Sequence, residues 1–209
     1  MSRPSSDLAN DFRNYLQSLE NVRAKMETLF SGGHVTEDDI EHVYSGLFLD
    51  AFTAFESLIE QLFISLLIGE YQSNEPDVVP RAKFTNYDIA QGIILGERSY
   101  VDWLPFETRT LKRADAFFEN GFPFNRLKND IVLKPSLQSI ERFAAIRNAI
   151  AHKSKHSQLK FEKEVSGNSP LSPRQKKPAG YLRSSVNRTQ VQYQVIANEL
   201  NLIAHHICK

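Results

Sequence analysis

Between Leu47 and Ile68 the chain is apolar on nearly every side of a helical wheel. That pattern suits either a membrane span or the central helix of a bundle. Asp50, Glu56 and Glu60 interrupt it, and each carboxylate is costly in hydrocarbon. The stretch is therefore expected to be a buried core helix of a soluble protein with no membrane partner. A helix of this kind has to be covered by amphipathic helices. The expected fold class is all-α, a bundle of about four to six helices around a central hydrophobic helix, with long inserted loops.

The covering helices can be read from spacing. Residues 7–30 place Leu8, Phe12, Tyr15, Leu16, Leu19, Val22, Met26 and Leu29 in steps of three and four, with Ser6 as N-cap and Gly32-Gly33 as terminator. Thr36 to Asp39 resembles a capping box that opens the central helix, about 37–70, although Asp replaces the usual Glu or Gln. Residues 72–104 are punctuated by Asn74, Pro76, Pro80 and Gly96 and predict only a short helix near 86–95. Pro105 suits a first helical position, which predicts a helix over Phe106–Glu119 closed by Asn120-Gly121. A further helix should run from Pro135 or Ser136 to about Ser154, and a last one over about 188–207. Residues 155–186, rich in Ser, Pro, Lys and Gly, predict a long, flexible basic loop. There is no internal repeat and no convincing strand alternation. The 209 residues fit one domain, 1–209, with core helices at about 7–70 and 135–207 and an elaboration at 72–134.

Net charge is zero, so bulk charge favours no partner, but its distribution is uneven. Residues 1–70 carry 12 acidic and four basic side chains, and residues 153–188 carry nine basic and two acidic ones. The second stretch is either a solvated surface segment or an electropositive lip for a polyanion. Cys208 is the only cysteine, which excludes an internal disulfide and a cysteine-based zinc site and fits a reducing compartment. The N-terminus turns polar at once and lacks an apolar secretory core. A cytoplasmic location is expected.

Chemistry concentrates at the end of the helix that starts near Ser136. Histidine titrates near neutrality and can move a proton, so His152 can take one from a 2′-OH or give one to a leaving 5′ oxygen. The Arg147 guanidinium offers a permanent charge and a planar fork to a crowded phosphate. Five helical steps separate their Cβ directions by about 140°, so arginine's reach or a break near His152 would be needed to bring both heads to one phosphate. Spacing alone also fits an exposed arginine and a histidine that stabilises a helix C-terminus. His152 and His156 stand four residues apart, yet Lys153, Lys155 and Lys160 crowd them and oppose metal binding. His205 and His206 are adjacent and diverge on a helix. No phosphate-binding glycine loop, dinucleotide fingerprint or serine elbow is present.

The run Arg147-Asn148-Ala149-Ile150-Ala151-His152 resembles the Arg-x4–6-His motif of the HEPN superfamily, in which a polar residue commonly follows the arginine. The stretch from Asp50 to Glu60, with an acidic residue inside an aromatic-rich helix, is similar to that family's second helix. The resemblance implies a helical bundle that dimerises to line one cleft with two motifs. It implies RNA cleavage without metal or other cofactor, leaving a 2′,3′-cyclic phosphate, often in toxins or phage-defence effectors with an antitoxin or defence partner protein. On this chain it makes His152 the acid/base, Arg147 the phosphate clamp, and Asn148 the residue that orients one of them. Glu56 becomes a supporting carboxylate that an arginine such as Arg147 would satisfy, or a structural buried ion pair. Lys153 and Lys155 become RNA contacts or a charged helix end. Some toxin members carry Tyr two places after the histidine; here Ser154 stands there, which argues against that subgroup. The alternative is a non-catalytic dimeric module that binds a nucleotide, RNA or a partner protein. The intact Arg147–His152 pair favours the enzyme.

Overall fold

The computed structural model describes residues 2–75, 78–96, 98, 101–167 and 170–209. The fold is all-α: 67% of the described residues are helical. Among the described residues there are nine α-helices: α1 (Ser6–Ser31), α2 (Glu37–Ile68), α3 (Tyr87–Leu95), α4 (Thr110–Phe117), α5 (Arg126–Asn129), α6 (Lys134–His152), α7 (Lys155–Phe161), α8 (Pro178–Arg183) and α9 (Gln192–Ile207). Two two-residue strands, β1 (Arg3–Pro4) and β2 (Tyr71–Gln72), pair in parallel with Arg3 opposite Tyr71.

Helix ends follow the local chemistry. The capping box at the start of α2 works with aspartate: the Thr36 amide donates to Asp39 Oδ2 at 2.8 Å and the Asp39 amide to Thr36 Oγ1 at 3.2 Å. Gly33, at φ +73°, turns the chain out of α1 while the amides of Gly33 and His34 bond the carbonyls of Phe30 and Leu29, a left-handed termination that glycine tolerates best. Ser6 is itself the first helical residue of α1. Of the apolar positions expected to face inward on α1, Leu8, Phe12, Leu16 and Leu19 are buried, whereas Tyr15, Val22 and Leu29 stay exposed.

The helix α2 is long and apolar enough to cross a membrane, but 61% of its most apolar window is buried inside the protein. Phe48, Phe52, Phe55, Ile59, Leu62 and Phe63 are fully buried along it.

Two elements depart from what the sequence predicts. The helix predicted over Phe106–Glu119 starts only at Thr110. Fully buried Phe106 has its amide held by Glu141 Oε1 at 2.9 Å, and the Thr110 hydroxyl closes on the Trp103 carbonyl at 2.6 Å. Those contacts hold residues 104–109 in a turn, so Pro105 does not open a helix. The loop predicted over 155–186 instead contains α7, a π-helical turn at Glu162–Ser166, and α8. Phe161 and Leu182 are fully buried and the Tyr181 ring meets Phe161 edge-on at 5.8 Å, anchors that an average composition hides. Asn168 and Ser169 of that segment, and Pro76 of the earlier punctuation, lie outside the described residues.

The chain divides into two compact units, Met1–Phe12 with Phe55–Glu141 and Asn201–Lys209, and Arg13–Ala54 with Arg142–Leu200. The core of the first is aromatic: the Phe63 ring lies 5.1 Å from Trp103, 5.0 Å from Phe118 and 5.3 Å from Phe124. Glu60, a carboxylate inside the apolar stretch, is satisfied there by Trp103 Nε1 at 2.8 Å, Gln91 Nε2 at 3.0 Å and the Tyr87 hydroxyl at 3.4 Å. Residues 72–134 thus supply the partners that allow the end of α2 to carry a charge. The second unit is knit by a polar network. Arg23 bonds Glu20 at 2.7 Å and the Tyr44 hydroxyl at 3.2 Å, Tyr44 donates to Glu27 at 2.8 Å, and Gln194 of α9 donates to Glu20 at 2.7 Å. Burial pushes the Tyr44 phenol up to about 12.

Candidate functional site

The motif lies on the half of α6 that belongs to the second unit. Phe143, Ala144, Ala145, Ile146 and Ala149 are buried, which fixes the roll of the helix and leaves Arg147 and Asn148 half-buried. Arg147 Nη1 donates to Asn148 Oδ1 at 3.0 Å, so the polar residue after the arginine orients its guanidinium. His152 is the last residue of α6 and is exposed.

Immediately after His152 the chain turns a built corner. Lys153 adopts φ +49°, which ends the helix. Ser154 is extended and caps α7, its Oγ accepting from the Ser157 amide at 3.2 Å while the Ser157 hydroxyl donates to the Ser154 carbonyl at 2.9 Å. Gln158 Nε2 reaches back to the Ala149 carbonyl at 2.9 Å, satisfying one of the carbonyls that the last turn of α6 leaves open. Ser154 and Gln158 build this corner and lie outside the motif. The signal in the sequence that points to Ser154 is its residue type, a favoured N-cap directly before Lys155; Gln158 carries no local signal.

The helix runs through His152, so the Cβ directions of Arg147 and His152 stay about 140° apart. A phosphate touched by both side chains has to be reached by the arginine's length, or with a second copy of the chain. Lys153 and Lys155 are exposed beside His152, where they offer charge to an anion. His156 is exposed as well. Glu56 is half-buried on the portion of α2 in the first unit. Among the described residues, no group of three His, Cys, Asp or Glu side chains is arranged to hold a metal ion.

The basic stretch divides into cations paired within the fold and cations left at the surface. Arg174 binds Glu41 at 2.7 Å, Asp38 at 2.5 Å and Glu37 at 3.5 Å; Arg183 binds Glu27 at 3.2 Å and Glu37 at 3.6 Å and stacks on Phe30 at 4.2 Å. Gly180 permits this packing, since a Cβ there would collide with the Arg174 carbonyl. Lys160 lies 3.9 Å from Glu164. Three of the nine cations of this stretch, Lys160, Arg174 and Arg183, are thus neutralised within the second unit. The lip expected over 153–188 rests on the exposed cations Lys153, Lys155, Lys163, Lys176, Lys177 and Arg188. Comparison with protein-family models, with curated proteins and with solved structures gives no match.

Proposed function

We propose that the chain is a metal-independent endoribonuclease that works as a homodimer in the cytoplasm, in a toxin or phage-defence setting with an antitoxin or defence protein as a further partner. The observation that carries this reading is the end of α6: a guanidinium oriented by Asn148 stands five residues before an exposed imidazole that closes the helix. In the reaction the 2′-oxygen attacks phosphorus and the bond to the 5′-oxygen breaks, giving a 2′,3′-cyclic phosphate and a free 5′-hydroxyl. One His152 accepts the 2′-OH proton, and the partner copy's histidine donates one to the leaving oxygen. Arg147 stabilises the charge that builds on the phosphoryl oxygens. Lys153 and Lys155 hold the flanking backbone and contribute affinity rather than chemistry. Two copies are required because each chain has one histidine suited to the step, and the line through Arg147 and His152 does not converge on a single rigid helix.

The test is RNA cleavage by purified protein in EDTA. His152→Ala and Arg147→Ala should each lower the rate by about 10²–10⁴ with circular dichroism unchanged. A His152→Ala protein of matched purity that cleaves as fast as the parent would remove the assignment. RNA binding without cleavage in the parent would identify a binding module instead.

A further inference from the structure

The first unit holds a second concentration of positive charge that the motif does not use. A groove of about 740 Å³ runs along the end of α3 and the face of α4, and Arg98, Arg109, Lys112 and Arg113 line it together with Ile93 and Phe117. Its volume lies in the range of small-molecule sites. Among the described residues that line it, four are cations and none is a carboxylate. Arg109, Lys112 and Arg113 occupy positions i, i+3 and i+4, the spacing that puts side chains on one helix face and makes like charges repel.

The arrangement is held rather than accidental. Arg113 lies over the Trp103 ring at 5.2 Å, and its Nη1 donates to the Asp102 carbonyl. Arg109 is 3.7 Å from the Asp102 carboxylate, too long for a tight pair and too little to balance the cluster. Burial and the nearby charges of Arg98 and Arg109 work against the Arg113 cation, so Arg113 feels the other two guanidinium groups. Ile93, about half exposed, gives the same groove an apolar wall. Fixed cations beside an exposed apolar wall, with room for a ring system, make a receptor for a phosphorylated ring compound.

We propose that this groove binds a nucleotide carrying several phosphates, with the phosphates on Arg98, Arg109, Lys112 and Arg113 and the base against Ile93 and Phe117. The same chemistry is presented by a free nucleoside triphosphate and by the 5′-triphosphate end of an RNA. The proposal does not depend on the ribonuclease reading.

Calorimetric titration of the full chain tests it with four probes: ATP, inorganic triphosphate, and a short oligoribonucleotide with either a 5′-triphosphate or a 5′-hydroxyl. The expected result is saturable binding of ATP that weakens as salt rises. Arg98→Gln and Lys112→Gln, both exposed and so safe for folding, should each weaken it about tenfold, and His152→Ala should leave it unchanged. Tighter binding of the triphosphate oligonucleotide than of ATP would support the groove and name RNA ends as the source; the reverse order would support it and name the free nucleotide. Equal affinity for inorganic triphosphate and ATP would overturn it, since the apolar wall would then do nothing. No saturable binding of ATP, or loss of ATP binding in His152→Ala, would overturn it as well.

Discussion

Replacing Glu60 by alanine tests whether the charge inside the apolar stretch of α2 is structural, and Trp103 makes the outcome easy to read. The indole is 3% exposed and its Nε1 donates to Glu60 Oε2 at 2.8 Å. Without that acceptor a buried N–H is left unpaired, at a cost of about 1–3 kcal/mol. Gln91 and Tyr87, both less deeply placed, regain water at little cost. Alanine's better helix propensity returns no more than a few tenths of a kcal/mol. The net destabilisation is about 1–3 kcal/mol, which moves a urea midpoint by about 0.5–1.5 M for an m-value near 2 kcal/mol/M. Trp103 is the only tryptophan in the chain, so its emission reports the first unit specifically, while circular dichroism follows both units. Glu60→Gln keeps an acceptor for the indole and should lose less than half as much. A midpoint unchanged in Glu60→Ala, or a glutamine variant as unstable as the alanine one, would refute the reasoning. Because Arg113 lies over the same indole, the alanine variant should also bind triphosphates less well in the α3–α4 groove.

Phe161→Ala should destabilise the second unit by about 3–5 kcal/mol and open the segment 155–183 to limited proteolysis; an unchanged cleavage pattern would mean that this segment is not packed. Ser154→Ala removes the cap of α7 and should cost about 1 kcal/mol, visible as faster hydrogen exchange at the amide of Ser157. Burial pushes the Cys208 thiol up to about 12 from an ordinary 9, so the folded chain keeps a proton that the unfolded chain releases. That contribution is fully present below pH 9 and is lost as pH rises towards 12. Stability should fall across this window, and Cys208→Ala should flatten part of the fall in urea titrations at stepped pH. Thiol reagents at pH 8 should modify Cys208 only after denaturant is added.

The long helices were legible because their information is periodic. The buried set Leu8, Phe12, Leu16 and Leu19 repeats in steps of three and four, and the Thr36–Asp39 cap is written within four residues. The motif at Arg147, Asn148 and His152 was legible as a string, and so was its place at a helix end. The segment 155–186 was not, because Phe161, Tyr181 and Leu182 are isolated anchors in a polar background whose partners lie far along the chain. The turn at 104–109 failed for a related reason: Pro105 is compatible with a helix start, and only the tertiary demands of Trp103, Phe106 and Glu141 move the start to Thr110. The α3–α4 groove was hidden because Arg98 and Arg109 are separated by residues with no common pattern, and charge counts over long windows average such a cluster away. The pairing of Arg174 and Arg183 with acidic residues of α1 and α2 is likewise invisible to any window, since more than a hundred residues separate the partners.

The left-handed backbone at Lys153 bears on how this region can be interrogated by mutagenesis. At φ +49° the residue contributes two separable things, a charge and a conformation. Alanine removes the first and leaves the second as it was, because it carries the same Cβ that costs lysine about 1 kcal/mol or more relative to glycine in that region. Lys153→Ala therefore reads the loss of the side chain without adding backbone strain at the α6–α7 corner. Lys153→Gly discards the charge and relieves the backbone cost together, Lys153→Asn does so in part with less gain in chain freedom, and Lys153→Arg keeps the charge at the same backbone cost. The difference between the glycine and alanine variants measures the corner, and the difference between the alanine variant and the parent measures the lysine side chain beyond its Cβ.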